Sequence, residues 1–142
     1  MRFLDRLHPL ALLVLRLALG IIMTAHGYSK VFGGLHHHAQ VVASLGLPAW
    51  LGYVSSFAEF LGGILVIAGF LTRLAALAIC IDMAVAIAKV HWGNGLIGPN
   101  RSGYEFPLAL AAIAFALIFF GAGPIAVDHI FGGRSGISAK RA

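Results

Sequence analysis

The stretch YVSSFAEFLGGILVIAGFLTRLAALAICIDMAVAIAKV, Tyr53 to Val90, holds two long apolar runs with only Thr72 and Arg73 between them. A helix needs about 20 apolar residues to cross a hydrocarbon core of roughly 30 Å. Backbone in that core must also satisfy its own hydrogen bonds. The two runs, about residues 53–71 and 74–90, therefore read as a hairpin of two antiparallel membrane spans. Working outward, a third run precedes them, about Leu10 to Tyr28, and a fourth follows, about Phe106 to Ala122. Pro9 suits a first helical turn, Pro107 opens the last run, and Gly121, Gly123 and Pro124 end it. The expected fold is all-α, a four-helix transmembrane bundle forming one domain over residues 1–142.

Composition excludes the other broad classes. Of 142 residues 60% are hydrophobic and only 11% charged, whereas ordinary soluble domains have about 45–50% apolar and a quarter charged residues. Too few polar groups remain to coat a globule of this size, and the chain is far too apolar to stay disordered. The net charge of +5 comes from basic residues scattered singly, so no nucleic-acid partner is expected. A lone cysteine, Cys80, makes no internal disulfide and reads as a small core residue. The basic N-terminus before an apolar run could suggest a secretory signal, but Arg16 interrupts the run and no small-residue cleavage pattern follows, so a retained span is expected.

Arg and Lys in short loops set orientation. Arg2, Arg6, Arg73, Arg134, Lys140 and Arg141 fall on one side and Lys30, Lys89 and Arg101 on the other, which predicts both termini in the cytoplasm. The loops at 29–52 and 91–105 then face outward, and residues 123–142 form a cytoplasmic tail. Tyr28, Trp50, Tyr53, Trp92 and Tyr104 all lie toward the outer side, as an interfacial belt or as the lining of an outward-facing pocket. Ala39 to Leu47 is expected to form a short helix at the outer leaflet, ended by Pro48.

Arg16, Glu59, Asp82 and Lys89 lie inside apolar spans, where each unpaired charge costs about 2.5–3.5 kcal/mol. Counting about 1.5 Å per residue from the cytoplasmic ends, Arg16 and Asp82 share one level, and Glu59, Lys89 and His26 share another nearer the outside. Arg16 and Asp82 are expected to form a structural ion pair. The outer group is the expected functional site: Glu59 and His26 as proton carriers, with Tyr28, Lys30, Lys89 and His91 as binding groups. Such donors and titratable groups suit a quinone headgroup, whose carbonyls accept hydrogen bonds and whose reduction needs protons. The run His36, His37, His38 has metal-binding chemistry, but adjacent side chains in a loop rarely converge on one ion. No metal site is expected.

The segments RLALGIIMTAHGYSKVFG (Arg16 to Gly33), AEFLGGILVIAGFLTRLAAL (Ala58 to Leu77), DMAVAIAKVHW (Asp82 to Trp92) and GAGPIAVDHI (Gly121 to Ile130) together resemble the DoxX family. The resemblance implies a four-helix membrane bundle and, for some members, association with quinone-linked oxidoreductases, including thiosulfate:quinone oxidoreductase. Arg16, His26, Lys30, Glu59 and Arg73 match the recurring positions. The expected role is a small subunit of a quinone-linked redox system in a bacterial inner membrane. Its partners would be the bilayer and other subunits or further copies of itself. The alternative is a non-catalytic assembly subunit of a larger membrane complex, whose glycine-lined helices pack against its partners.

Overall fold

The computed structural model describes residues 2–132. Their α-helices are α1 (Arg2–Asp5), α2 (His8–Gly33), α3 (Leu35–Ser44), α4 (Trp50–Ala68), α5 (Thr72–Ala86), α6 (Glu105–Phe120) and α7 (Val127–Gly132), and no strand occurs among the described residues. A π-helical turn at Ile87–His91 and a 3-10 turn at Trp92–Asn94 prolong α5. Three helical stretches are long and apolar enough to cross a membrane: His8–Gly33, Trp50–Ala68 and Thr72–Asn94. The fourth apolar helix, α6, has 16 residues, about 24 Å of helix.

Helix α2 lies along α4, α4 beside α5, α5 beside α6, and α6 returns to α2. Leu19, Met23, Val66, Ile79, Leu110 and Leu117 meet in the centre. Apolar side chains such as Ile21, Leu61, Leu74, Ile81 and Phe115 point outward, the inverse of a soluble bundle. Helices in lipid gain little from hydrophobic burial against each other and depend on close packing. The α2–α4 contact shows this: a Cβ on Gly63 would stand 2.5 Å from the Thr24 amide nitrogen, and one on Gly27 would collide with the Phe60 backbone. The two helices touch backbone to backbone.

Helix ends differ from the expected spans for identifiable reasons. Helix α4 stops at Ala68, earlier than the expected Leu71, because Gly69 takes a left-handed conformation (φ 70°) and the Phe70 amide bonds back to the Leu65 carbonyl at 3.0 Å, which closes the helix. Helix α2 runs on to Gly33, so Lys30 is helical rather than in a loop. The expected outer loop 29–52 contains α3, which starts at Leu35 rather than Ala39.

Residues 123–132 are not a tail but fold back on the α4–α5 hairpin. Asp128 accepts hydrogen bonds from the amides of Leu71 (2.8 Å) and Thr72 (2.9 Å), and its own amide donates to the Gly69 carbonyl at 2.8 Å. A carboxylate from far along the chain thus caps the N-terminus of α5. Burial pushes the Asp128 carboxyl up, but the bonds from Thr72 and Leu71 outweigh it and hold it below its ordinary value. A depressed carboxyl stabilises the fold above its unfolded value, and that stability is lost as pH falls through the folded one. Asp128→Ala should cost about 1 kcal/mol, as for other lost caps, and should remove this part of the acid sensitivity. Thermal unfolding in detergent at neutral and acid pH measures both effects. Arg134, Lys140 and Arg141, half of the six basic residues expected on the cytoplasmic side, lie outside the described residues.

Candidate functional site

The close approach of α2 and α4 at Gly27 and Phe60 brings together the next side chains toward the C-terminal end of α2 and the N-terminal end of α4. Lys30 Nζ donates to Glu59 Oε1 at 2.6 Å, the one ion pair among the described residues. Glu59 is 3% exposed, and its second oxygen, Oε2, is buried with no hydrogen-bond partner. On α5, Asp82 lies near Glu59 and Ser55 and within the field of Lys30. One cation thus faces two carboxyl groups.

Beside this cluster lies a cavity of about 370 Å³, lined by Met23, His26, Lys30, Glu59, His91 and Phe106 among others. His26 Nδ1 lies 2.9 Å from the Ile22 carbonyl and His91 Nδ1 3.0 Å from that of Ser102. A carbonyl only accepts, so each Nδ1 carries a hydrogen and each Nε2 is left for a partner in the cavity.

Helix α3 covers the N-terminal end of α4, where Ala39 packs onto Gly52 so tightly that a Cβ there would meet the Ala39 Cα at 2.6 Å. His38 lies on the inner side of α3, with Nε2 buried and unpartnered. Burial first, then the Lys30 charge, hold its imidazole below the ordinary value, against the opposing pull of Asp82. His36 meets the Tyr53 hydroxyl at 3.0 Å and Gln40 at 3.2 Å. The histidine run is therefore helical, and consecutive side chains diverge by about 100° around the axis. Among the described residues no three His, Cys, Asp or Glu side chains converge to hold a metal.

The structure brings together Lys30, Glu59, His26 and His91 from the expected outer group. It leaves out Tyr28, which is 58% exposed and packs on Phe32 and Phe60, and Lys89, exposed on the π-helical turn; neither lines the cavity. The expected Arg16–Asp82 ion pair is not formed. Arg16 instead donates to the carbonyls of Val66 (3.0 Å), Ile67 (2.8 Å), Ala122 (3.0 Å) and Ile125 (2.6 Å). It answers the unpaired carbonyls that every helix leaves in its last turn, while Asp82 joins Glu59. Ser55 goes unnamed in the sequence, while Asp82 is expected there as the partner of Arg16 and His38 as part of a polar loop. His38, Val42 and Leu45 follow an i, i+4, i+7 pattern, the signal that would have placed His38 on an inner face.

His26, Lys30, His38, Ser55, Glu59, Asp82 and His91 all fall within residues 11–92, which match the DoxX family. The chain belongs to the DoxX family. It is 34% identical over 105 residues to CatD of Bacillus subtilis (strain 168), provisionally named an oxidoreductase, covering 74% of this chain and 76% of CatD. A protein of Haemophilus influenzae with no assigned role is 31% identical, over 92% of this chain and 98% of its own length. The inner membrane protein YphA of Escherichia coli (strain K12) is 29% identical, over 85% and 90%. No solved structure matches the chain. This DoxX protein is thus a multi-pass membrane protein, and the stretch that matches the family contains the buried Lys30–Glu59 pair; its closing stretch, Gly121 to Ile130, lies beyond the family match.

Proposed function

We propose that this DoxX protein is a four-span subunit of a quinone-linked redox system in a bacterial inner membrane, with both termini cytoplasmic, and that its cavity binds a quinone headgroup. The carrying observation is a cavity of about 370 Å³ opening beside a buried, charge-bearing pair. That volume falls in the range of small-molecule sites, roughly 300–1,000 Å³. Met23, Phe106 and Pro107 supply apolar walls for a ring, and Lys30, His26 and His91 supply polar contacts for its oxygens. A bound quinone would supply two-electron chemistry, and this chain's own residues would orient it and move protons. Glu59, held by Lys30, and His26, with its free Nε2, are the proton carriers. The name of CatD supports a redox role and that of YphA an inner-membrane location. Helix α6 makes the fourth crossing, its short length extended by the apolar Ala122 and by the aromatic Tyr104 at its ends.

The assembly-subunit alternative drew on glycine-lined helix faces, but Gly20, Gly27 and Gly63 are spent on the α2–α4 contact within the chain. Extraction in mild detergent tests the proposal. Wild-type protein should carry quinone, and added short-chain quinone should quench Trp50 or Trp92 fluorescence. Glu59→Gln should weaken binding about tenfold, the cost of one charge-assisted hydrogen bond. Protein without quinone and with unresponsive tryptophan fluorescence would rule the proposal out.

A further inference from the structure

We propose that the cavity takes its headgroup in the reduced, hydrogen-bond-donating form, a hydroquinone, in preference to the quinone. This deepens the proposed function, resting on the reading of the cavity as a headgroup site.

Hydrogen-bonding capacity around the cavity is lopsided. Glu59 Oε1 accepts from Lys30 at 2.6 Å, while Oε2 is buried and has no hydrogen-bond partner. His26 and His91 each spend Nδ1 on a backbone carbonyl, at 2.9 and 3.0 Å, which in the neutral ring leaves Nε2 as an acceptor. The carbonyl that holds His91, that of Ser102, also accepts from Asn94 Nδ2 at 2.9 Å, so this loop and the ring are fixed together. Glu105, exposed at the start of α6, adds a further carboxylate to the lining. Against these acceptors, the side chains lining the cavity offer the remaining hydrogens of Lys30 and the hydroxyl of Ser102.

A quinone oxygen only accepts. It can take a hydrogen from Lys30, but it gives none to Glu59 Oε2 and brings a carbonyl lone pair up to a carboxylate. A buried charged acceptor left without a donor is costly. A phenolic hydroxyl answers both groups, because its hydrogen goes to Oε2 while its oxygen accepts from Lys30 Nζ. The second hydroxyl of the ring has the Nε2 of a histidine or the Glu105 carboxylate as its acceptor. Water could serve the same acceptors, but an aromatic ring also uses the apolar wall of Met23, Met83, Phe106, Pro107 and Leu110. Binding itself breaks no bond and moves no electron. Each tenfold of preference for the reduced form raises the potential of the bound two-electron couple by about 30 mV, so a quinone held here is easier to reduce than one in the bilayer.

Calorimetric titration of the detergent-solubilised protein under argon tests the proposal, at about pH 8, where histidine is ordinarily neutral. Three ligands built on one ring are compared: a short-chain benzoquinone, its hydroquinone and the dimethyl ether of that hydroquinone, which keeps the oxygens and lacks their hydrogens. The hydroquinone should bind at least about tenfold tighter than either of the others, the lower value for a hydrogen bond to a charged group. In Glu59→Gln the ratio of hydroquinone to ether affinity should fall at least about threefold, because the bond loses its charged acceptor. A quinone bound as tightly as the hydroquinone would overturn the preference and leave the proposed function standing. An ether bound as tightly as the hydroquinone would overturn it as well, and would mean that Oε2 takes its hydrogen from within the protein, from the nearby Asp82. An unchanged ratio in Glu59→Gln would overturn the assignment of the contact to Glu59. Binding of none of the three would end both readings. The wild-type series decides the preference even if the variant fails to fold.

Discussion

Arg16→Leu should be among the most damaging single substitutions in this protein, lowering stability by on the order of 5 kcal/mol. The guanidinium is 1% exposed and ties the end of α4, at Val66 and Ile67, to the turn at Ala122 and Ile125. Leucine would fill much of the space and donate nothing. Each buried carbonyl left without a donor costs about 1–3 kcal/mol. Val66 is partly protected, because its carbonyl also accepts from the Gly69 amide at 3.2 Å; Ile67, Ala122 and Ile125 would bear the loss. The positive charge is tolerated because it sits at the negative end of the α4 dipole and within the field of Asp128. Arg16→Lys should recover only part of the loss, since an ammonium is a point donor and cannot span a fan of four acceptors. Thermal unfolding in detergent and the amount of folded protein recovered measure the effect. An Arg16→Leu variant as stable as wild type would show that the carbonyls find other donors and that the arginine knot is dispensable.

This arginine also shows what the sequence could and could not disclose. The apolar runs were legible because backbone in a bilayer must bond within its own helix, so run length translates directly into helix. Their ends were less so: the stop at Ala68 depends on the left-handed Gly69, and the start of α5 depends on Asp128, 56 residues further along the chain. Depth along the helices grouped Glu59 with His26 and Lys89; of these, His26 and Glu59 line one cavity and Lys89 is exposed away from it. Depth is one coordinate of three, however, and equal depth did not make Arg16 and Asp82 neighbours. Arginine can be paid in carbonyls, which a count of acids and bases does not register. His38 was hidden by its context, a polar triplet that reads as loop until α3 is seen to lie across α4.

The second large effect is expected at the Lys30–Glu59 pair, and its sign depends on how many partners are removed. Lys30→Met alone should destabilise the protein by on the order of 3 kcal/mol, because it strands a carboxylate whose side chain is 4% exposed. The value falls at the lower end of the range for broken buried pairs because about a quarter (26%) of the Lys30 side chain stays accessible and is screened. Glu59→Gln alone should cost less, since the lysine can turn toward Asp82, whose field it already shares. In the double variant Lys30→Met with Glu59→Gln the two losses should not add. The charge that the first change strands is removed by the second, and the coupling energy should exceed about 1 kcal/mol, as for residues in direct contact. Strict additivity in a thermal-unfolding cycle would mean that the 2.6 Å contact contributes nothing to stability. The same cycle run on Arg16 and Asp82 should be additive, because these two residues, placed together by depth alone, share no contact: one is bonded to carbonyls at the end of α4 and the other stands beside Glu59.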